Sequence, residues 1–328
     1  MGQRSGLGAQ VGVRKEDTYG TYKAPNRFLP FTSEGLSLAK EFVKSKGLRG
    51  GRMAQAQNLH RATSRGAGGD LNFELFDQGM GAIFDLFHGE VVTPTKIGSS
   101  AAYKQLHKIG LTPPWGKSAT VQVGRPDTGG TTQPFSYLGC KAITMKISIE
   151  ASGIATFTLT VDAQDETTSE ALAAATYDAD ALPYTFQEMS VLLGGEPIGN
   201  VRTMTVTVTV PQKTDRLHLG NKGLKDQPIA NDFVTVEGAA TLEFASLADH
   251  DRYKNETVAK LALKATGDEI DGENDFAANF TLNAAKQVSS SPQVSGPDVL
   301  TTDVSFEGLD NGTDAPLEVE VISTDTAL

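Results

Sequence analysis

Apolar residues recur at every second position along most of this chain. Leu71, Phe73 and Leu75 alternate with Asn72 and Glu74. Ile143, Met145, Ile147 and Ile149 alternate with Thr144, Lys146, Ser148 and Glu150. After Ala151-Ser152-Gly153 the phase resumes at Ala155, Phe157, Leu159 and Val161, which predicts a hairpin. Met204, Val206, Val208 and Val210 alternate with Thr203, Thr205, Thr207 and Thr209. Further strands are predicted at 233–236, 240–244, 258–263, 276–282, 304–306 and 317–321. Successive side chains of a strand point to opposite faces, so each of these has one apolar and one polar face. That pattern predicts a mainly β protein built as an antiparallel sandwich or barrel, because a parallel sheet covered on both sides needs continuous apolar runs. No internal repeat is visible in the residue order.

One segment changes period. Met80, Ile83, Phe84 and Phe87 stand at i, i+3, i+4 and i+7, so residues 78–88 predict a short amphipathic helix flanking the sheet, with Gly89 as its stop. A weaker helical pattern covers 247–255, and 168–175 fits a helix or a loop. Residues 289–292 and 295–297 have the composition of connectors.

Charge is unevenly placed. The chain carries a net charge of −11, yet residues 1–125 hold 17 Lys and Arg against 9 Asp and Glu, and residues 126–328 hold 12 against 31. From Phe42 to Gly69 there is no carboxylate at all, while Lys44, Lys46, Arg49, Arg52, Arg61 and Arg65 all fall there among six glycines. Glycine lets such an arm extend and reverse. Three readings of it stand: a flexible surface loop, a contact with DNA, or a docking element for an acidic surface on another copy of the chain. A chain with one basic end and one acidic end can associate head to tail, in rings or filaments. The overall acidity opposes general affinity for phosphate backbones.

At 328 residues the chain suits one large β domain or two smaller ones. A hydrophobic content of 39% and a mean hydropathy of −0.24 fit a soluble protein. No apolar run reaches the roughly 18 residues that mark a membrane helix, and no membrane partner is expected. The N-terminus lacks the apolar stretch of a cleaved export signal. Cys140 is the lone cysteine, which excludes an internal disulfide or a cysteine zinc cage.

Motifs for chemistry fail on context. Gly116-Lys117-Ser118 resembles the end of a phosphate loop, but Pro113 and Pro114 interrupt the cradle and an alternating, strand-like run follows where a helix is needed. Asp268, Glu269, Asp271, Glu273 and Asp275 lack calcium-loop spacing and predict an acidic hairpin turn. The five histidines are scattered, and Asp249-His250-Asp251 has no nucleophile elbow beside it. No catalytic, cofactor-binding or metal-binding residue is assigned, no cofactor is expected, and the chain does not read as an enzyme.

Several stretches together resemble the siphophage-type tail tube (major tail) proteins. These are Gly12-Val13, Glu16-Asp17-Thr18-Tyr19-Gly20-Thr21, Pro25, Arg27-Phe28-Leu29-Pro30-Phe31, Ser33-Glu34, Leu36-Ser37-Leu38, Gly47-Leu48-Arg49-Gly50-Gly51-Arg52 and Gly69-Asp70-Leu71. Further along they continue with Val121-Gln122-Val123-Gly124-Arg125, Phe135-Ser136-Tyr137-Leu138-Gly139-Cys140, Ser305-Phe306-Glu307-Gly308-Leu309 and Pro316-Leu317-Glu318-Val319. The resemblance implies a single tail-tube domain over 1–328: a β-sandwich with one flanking helix at 78–88, an extended arm at 40–69 and an outer-wall insertion around 165–200. It implies usually hexameric rings that stack into a tube, with Lys44, Lys46, Arg49, Arg52, Arg61 and Arg65 reaching the adjacent ring. It also implies a negative lumen through which DNA passes without specific binding, a tape-measure protein, tail terminator and distal tail proteins as partners, and assembly in the host cytoplasm into the virion tail. Another virion component, such as a tail terminator or decoration protein, and a non-viral β-sandwich binding module remain alternatives.

Overall fold

The computed structural model describes residues 5–290, 292–294 and 296–328. Of the predicted connectors, residues 291 and 295 lie outside the described residues. The alternating segments are strands, and the chain is mainly antiparallel β, with two short α-helices among the described residues.

In the first half, β1 (Gln10–Lys15), β2 (Ser33–Glu34), β3 (Ser37–Lys44) and β4 (His60–Glu74) lead into α1 (Gly81–Phe84). Then come β5 (Tyr103–Ile109), β6 (Ala119–Pro126), β7 (Thr132–Glu150), β8 (Thr156–Ala163) and β9 (Asp165–Thr167). The second half holds β10 (Met189–Leu193), β11 (Val201–Thr209), β12 (Thr235–Glu243), α2 (Ala248–Lys254), β13 (Val258–Glu269), β14 (Asp275–Ser290), β15 (Thr301–Gly308) and β16 (Leu317–Ser323).

Two long strands, β7 and β14, each serve two sheets. The first part of β7 pairs with β6 and β9, and its second part with β8 and β11. The change falls at Gly139, whose φ of +64° is the left-handed conformation that glycine adopts without strain. The result is one large sheet in the order β2/β3–β4–β8–β7–β11–β12–β15–β14. Among the described residues, two smaller sheets, β1–β6–β7–β9 and β10–β13–β14–β16–β5, and a two-residue ribbon of Gln212–Lys213 with Ile229–Ala230 accompany it. The inward side chains form one apolar core that includes Leu71, Phe73, Met145, Ile147, Phe157, Leu159, Val206, Phe280 and Phe306. Fully burying a side chain of this size contributes about 1.5–3 kcal/mol.

The second half repeats the first. β1, β2/β3, β4, α1, β6, β7, β8 and β9 have the same order and the same pairings as β10, β11, β12, α2, β13, β14, β15 and β16. The match extends to register. Ala119↔Cys140 and Val121↔Tyr137 flank an irregularity, and so do Ala259↔Ala285 and Leu261↔Leu282. Val123↔Phe135 answers to Leu263↔Phe280, Thr156↔Glu74 to Thr301↔Glu243, and Val11↔Val123 to Val191↔Leu263. The repeat escapes a reading of residue order because few corresponding residues are identical.

Two details differ from the sequence reading. The strands predicted at 233–236 and 240–244 are the single strand β12, whose inward Gly238 interrupted the apolar pattern. A Cβ there would meet the Leu261 side chain at 3.3 Å. Phe233 lies outside β12 and is exposed. The helix expected at 78–88 is one α-turn, continued by a 3-10 turn at Asp85–Phe87. It is buried on both sides rather than amphipathic, since Asp77, Gln78, Asp85 and His88 are as inaccessible as Met80, Ile83, Phe84 and Phe87. Residues 168–175, whose sequence fits a helix or a loop, are a loop, and the stretch 165–200 contains β9, the connection between the two halves, and β10.

Candidate assembly surfaces

The carboxylate-free segment forms a two-stranded ribbon. β3 pairs with the first part of β4, from Ser37↔Gly68 to Lys44↔His60, and residues 45–59 join them at an exposed tip. Lys44 ends β3, while Lys46, Arg49 and Arg52 sit in the tip, and Arg61 and Arg65 lie on the returning strand. Arg65 is paired within the chain, to Asp165 at 2.7 Å, and among the described residues the Arg49 side chain bonds only to Asn58 Oδ1, at 3.3 Å. Lys44, Lys46, Arg52 and Arg61 make no side-chain hydrogen bond or ion pair among the described residues. Leu48 and Met53 at the tip are fully exposed. Such a ribbon, with free cations and bare apolar side chains, is chemically suited to another protein surface.

The second surface is the polar face of the large sheet. Period two brings Asp70, Asn72 and Glu74 of β4 onto it, with Thr156, Thr158 and Thr160 of β8 and Thr144, Lys146, Ser148 and Glu150 of β7. The Thr203–Thr209 ladder of β11, Glu237, Thr241 and Glu243 of β12, and Asp303, Ser305 and Glu307 of β15 extend it. Neighbouring side chains tie this face together across strands. Thr158 Oγ1 donates to Asn72 Oδ1 at 2.8 Å, Thr160 Oγ1 to Asp70 Oδ1 at 2.6 Å, Thr241 Oγ1 to Asp303 Oδ1 at 2.7 Å, and Ser148 meets Thr205 at 3.0 Å. Glu237 and Glu307 stand directly opposite each other. Like charges so placed destabilise a sheet, so the acidity of this face is not a product of folding stability. The threonine ladder alone signals only a solvated strand. Its place beside these carboxylates depends on pairing between distant strands, which residue order does not display.

Interior polar groups serve packing. Asp85 is held by Lys15 at 2.9 Å and Lys117 at 2.7 Å, so the Gly116-Lys117-Ser118 loop is fastened to the α1 region and leads into strand β6. His88 and His107, far apart in sequence, meet at 3.1 Å beside Asp85. Burial pushes their imidazoles down to about 4 and about 3, keeping both neutral. A cation there would meet both ammonium groups of Lys15 and Lys117. Burial also pushes Lys141 down to about 8, where its ammonium donates to the carbonyls of Pro114 and Lys117. Burial pushes the Cys140 thiol upward, away from a reactive thiolate. The acidic residues at 268–275 form the β13–β14 turn, with Asp271 accepting from the Ala101 N–H at 2.8 Å.

The motif Glu16 to Thr21 also has a structural role. The buried Glu16 carboxylate accepts from Gly20 N, Ser118 Oγ, Thr120 Oγ1 and Gly139 N at 2.7–3.0 Å. It fastens the end of β1 to β6 and to the bend of β7.

A β-sandwich with an exposed basic ribbon and an acidic, hydroxyl-covered sheet offers surfaces suited to assembly. The family model described as phage tail tube protein matches residues 6–308. The chain belongs to the phage tail tube protein family. No curated protein matches it. Tail tube proteins are structural components of the virion tail and self-assemble into a tube. Both surfaces described above fall within the matched residues. No described helix is long and apolar enough to cross a membrane.

Proposed function

We propose that this tail tube protein forms closed rings of six sandwich units, the six-fold order that the resemblance implies as a hexamer, and that the rings stack into the conduit for phage DNA. The polar face of the large sheet carries this reading. A lumen for DNA must repel phosphate without gripping it, and this face presents Asp70, Glu74, Glu150, Glu237, Glu243, Asp303 and Glu307 among hydroxyls, with Lys146 and Lys286 as opposing charges. Passage then depends on like-charge repulsion rather than binding.

The basic ribbon supports stacking. Lys44, Lys46, Arg49, Arg52 and Arg61 would reach an acidic surface on the next ring, each exposed pair contributing about 0.2–1 kcal/mol and the total growing with the number of arms. Arg65 orients the base of the ribbon through Asp165. The tube assembles in the host cytoplasm around a tape-measure protein and joins terminator and distal tail proteins at its ends. Negative-stain microscopy of purified protein tests the proposal. Hollow tubes or stacked rings are expected, monodisperse monomers would overturn it, and single rings that never stack would favour a tail terminator.

A further inference from the structure

The two units of the chain are joined by a junction whose halves recur, unpaired, at the ends of the large sheet. Inside the chain, Thr144 to Glu150 of β7 pair with Thr209 to Thr203 of β11. The counterpart of β11 in the first unit is β2/β3, which pairs with β4 on one side and has no strand on the other among the described residues. The counterpart of β7 in the second unit is β14. Beyond Lys286 its edge away from β15 has no strand partner among the described residues, although helix α2 packs against β14 and brings His250 to 3.3 Å from the Ser290 carbonyl.

We propose that one chain binds the next by setting β2/β3 against the end of β14, in the register of the β7–β11 junction. The correspondence of the units fixes that register. Thr209 opposite Thr144 becomes Ala39 opposite Ser289, and Val206 opposite Ile147 becomes Leu36 opposite Pro292. The last pairing is chemically apt. Pro292 has no N–H. The Leu36 N–H is already bonded to Glu34 Oε2, and its carbonyl accepts from Arg125 and Tyr137. Neither residue therefore loses a ladder bond there.

The exposed end of the second unit also differs from the sealed end of the first. Gln287 Oε1, Ser290 Oγ and Thr302 Oγ1 are buried there without hydrogen-bond partners, whereas the corresponding Ala142, Met145 and Phe157 are apolar. An edge-to-edge contact of this kind also conceals the open strand edges that invite aggregation.

This contact sets the stoichiometry, and it rests on the ring reading above. Six units close the ring, each chain brings two, and so three chains of 34.7 kDa make a ring with only approximate six-fold symmetry. The loops alternate accordingly. The first unit extends residues 45–59 into solvent. The equivalent β11–β12 loop of the second folds back, with Lys225 on Asp162 and the Gly223 carbonyl accepting from the Arg65 N–H. Three extended arms, rather than six, then leave each ring.

The test joins Ala39→Cys and Ser289→Cys in the full chain, with oxidation after assembly and a denaturing, non-reducing gel. Covalent dimers and closed trimers with nothing larger are expected, and neither single variant should cross-link. Native mass spectrometry of wild-type rings should give three chains. A ladder to six, or a six-chain ring mass, would overturn the stoichiometry. Wild-type tubes in the microscope with no cross-link in the double variant, while three-chain rings are also absent, would overturn the contact and leave the tube function standing. Absence of both rings and tubes would overturn the function and the contact together.

Discussion

Replacement of Glu16 is the sharpest probe of how the first unit is held. Among the described residues its buried carboxylate has no cationic partner, and it accepts from two hydroxyls and two backbone N–H groups. The hydroxyls of Ser118 and Thr120 can rotate to other partners, but the N–H groups of Gly20 and Gly139 cannot. Those two glycines have φ of +73° and +64°, which aim their N–H groups at the carboxylate. Glu16→Gln replaces one accepting oxygen with a donor, so one of these N–H groups loses its partner whichever way the amide turns. A buried donor left unsatisfied costs about 1–3 kcal/mol. Glu16→Ala orphans both and opens a void, for a combined loss of about 3–5 kcal/mol. In a protein of this size each kcal/mol lowers Tm by roughly 2–4 °C. Thermal and urea unfolding of unassembled protein should therefore rank wild type above Glu16→Gln and Glu16→Gln above Glu16→Ala. A Glu16→Ala variant within about 1 kcal/mol of wild type would refute the reasoning.

Other outcomes follow from the surfaces and the interior. Replacing Arg49, Arg52, Arg61 and Arg65 with Ala should leave rings intact but shorten or abolish tubes, most clearly at raised salt; normal-length tubes in the microscope would remove the ribbon from stacking. Glu237→Lys relieves the Glu237–Glu307 repulsion, so it should stabilise the isolated chain by about 0.2–1 kcal/mol. The same change should make tubes retain DNA in a mobility-shift assay, and a variant that is less stable or does not bind DNA contradicts the role given to this face. Two of the five imidazoles, those of His88 and His107, should stay neutral by NMR until the pH nears 4. Because their folded pKa values lie below the unfolded value near 6.5, this pair contributes stability that is complete above pH 6.5 and lost as the pH falls. For His88 the loss is about 3 kcal/mol at pH 4.

The alternating strands were legible because a half-buried strand must alternate, and Leu71 to Leu75, Met145 to Ile149 and Met204 to Val210 do so without exception. β12 was split because its inward Gly238 has no side chain to mark the phase. The segment around α1 looked amphipathic because Asp85 and His88 are polar, and only the structure shows Lys15, Lys117 and His107 packed against them. The basic ribbon was visible as composition, but Arg65's partner Asp165 lies on β9, across a fold that residue order does not display. The repeat was invisible for a similar reason. Backbone register is preserved between Tyr137 and Leu282 or Cys140 and Ala285, where side-chain identity is not, because a sheet requires apolar volume at a position rather than a given residue.

A cryo-electron microscopy map of assembled tubes, resolved well enough to follow strands, tests the central claim directly. It should show β11 facing the lumen with Thr203, Thr205, Thr207 and Thr209, flanked by Glu150, Glu237 and Glu307, and the ribbon of β3 and β4 reaching the next ring. A lumen lined by one of the smaller sheets, or by the ribbon with Arg49, Arg52 and Arg61 toward the DNA, would contradict it.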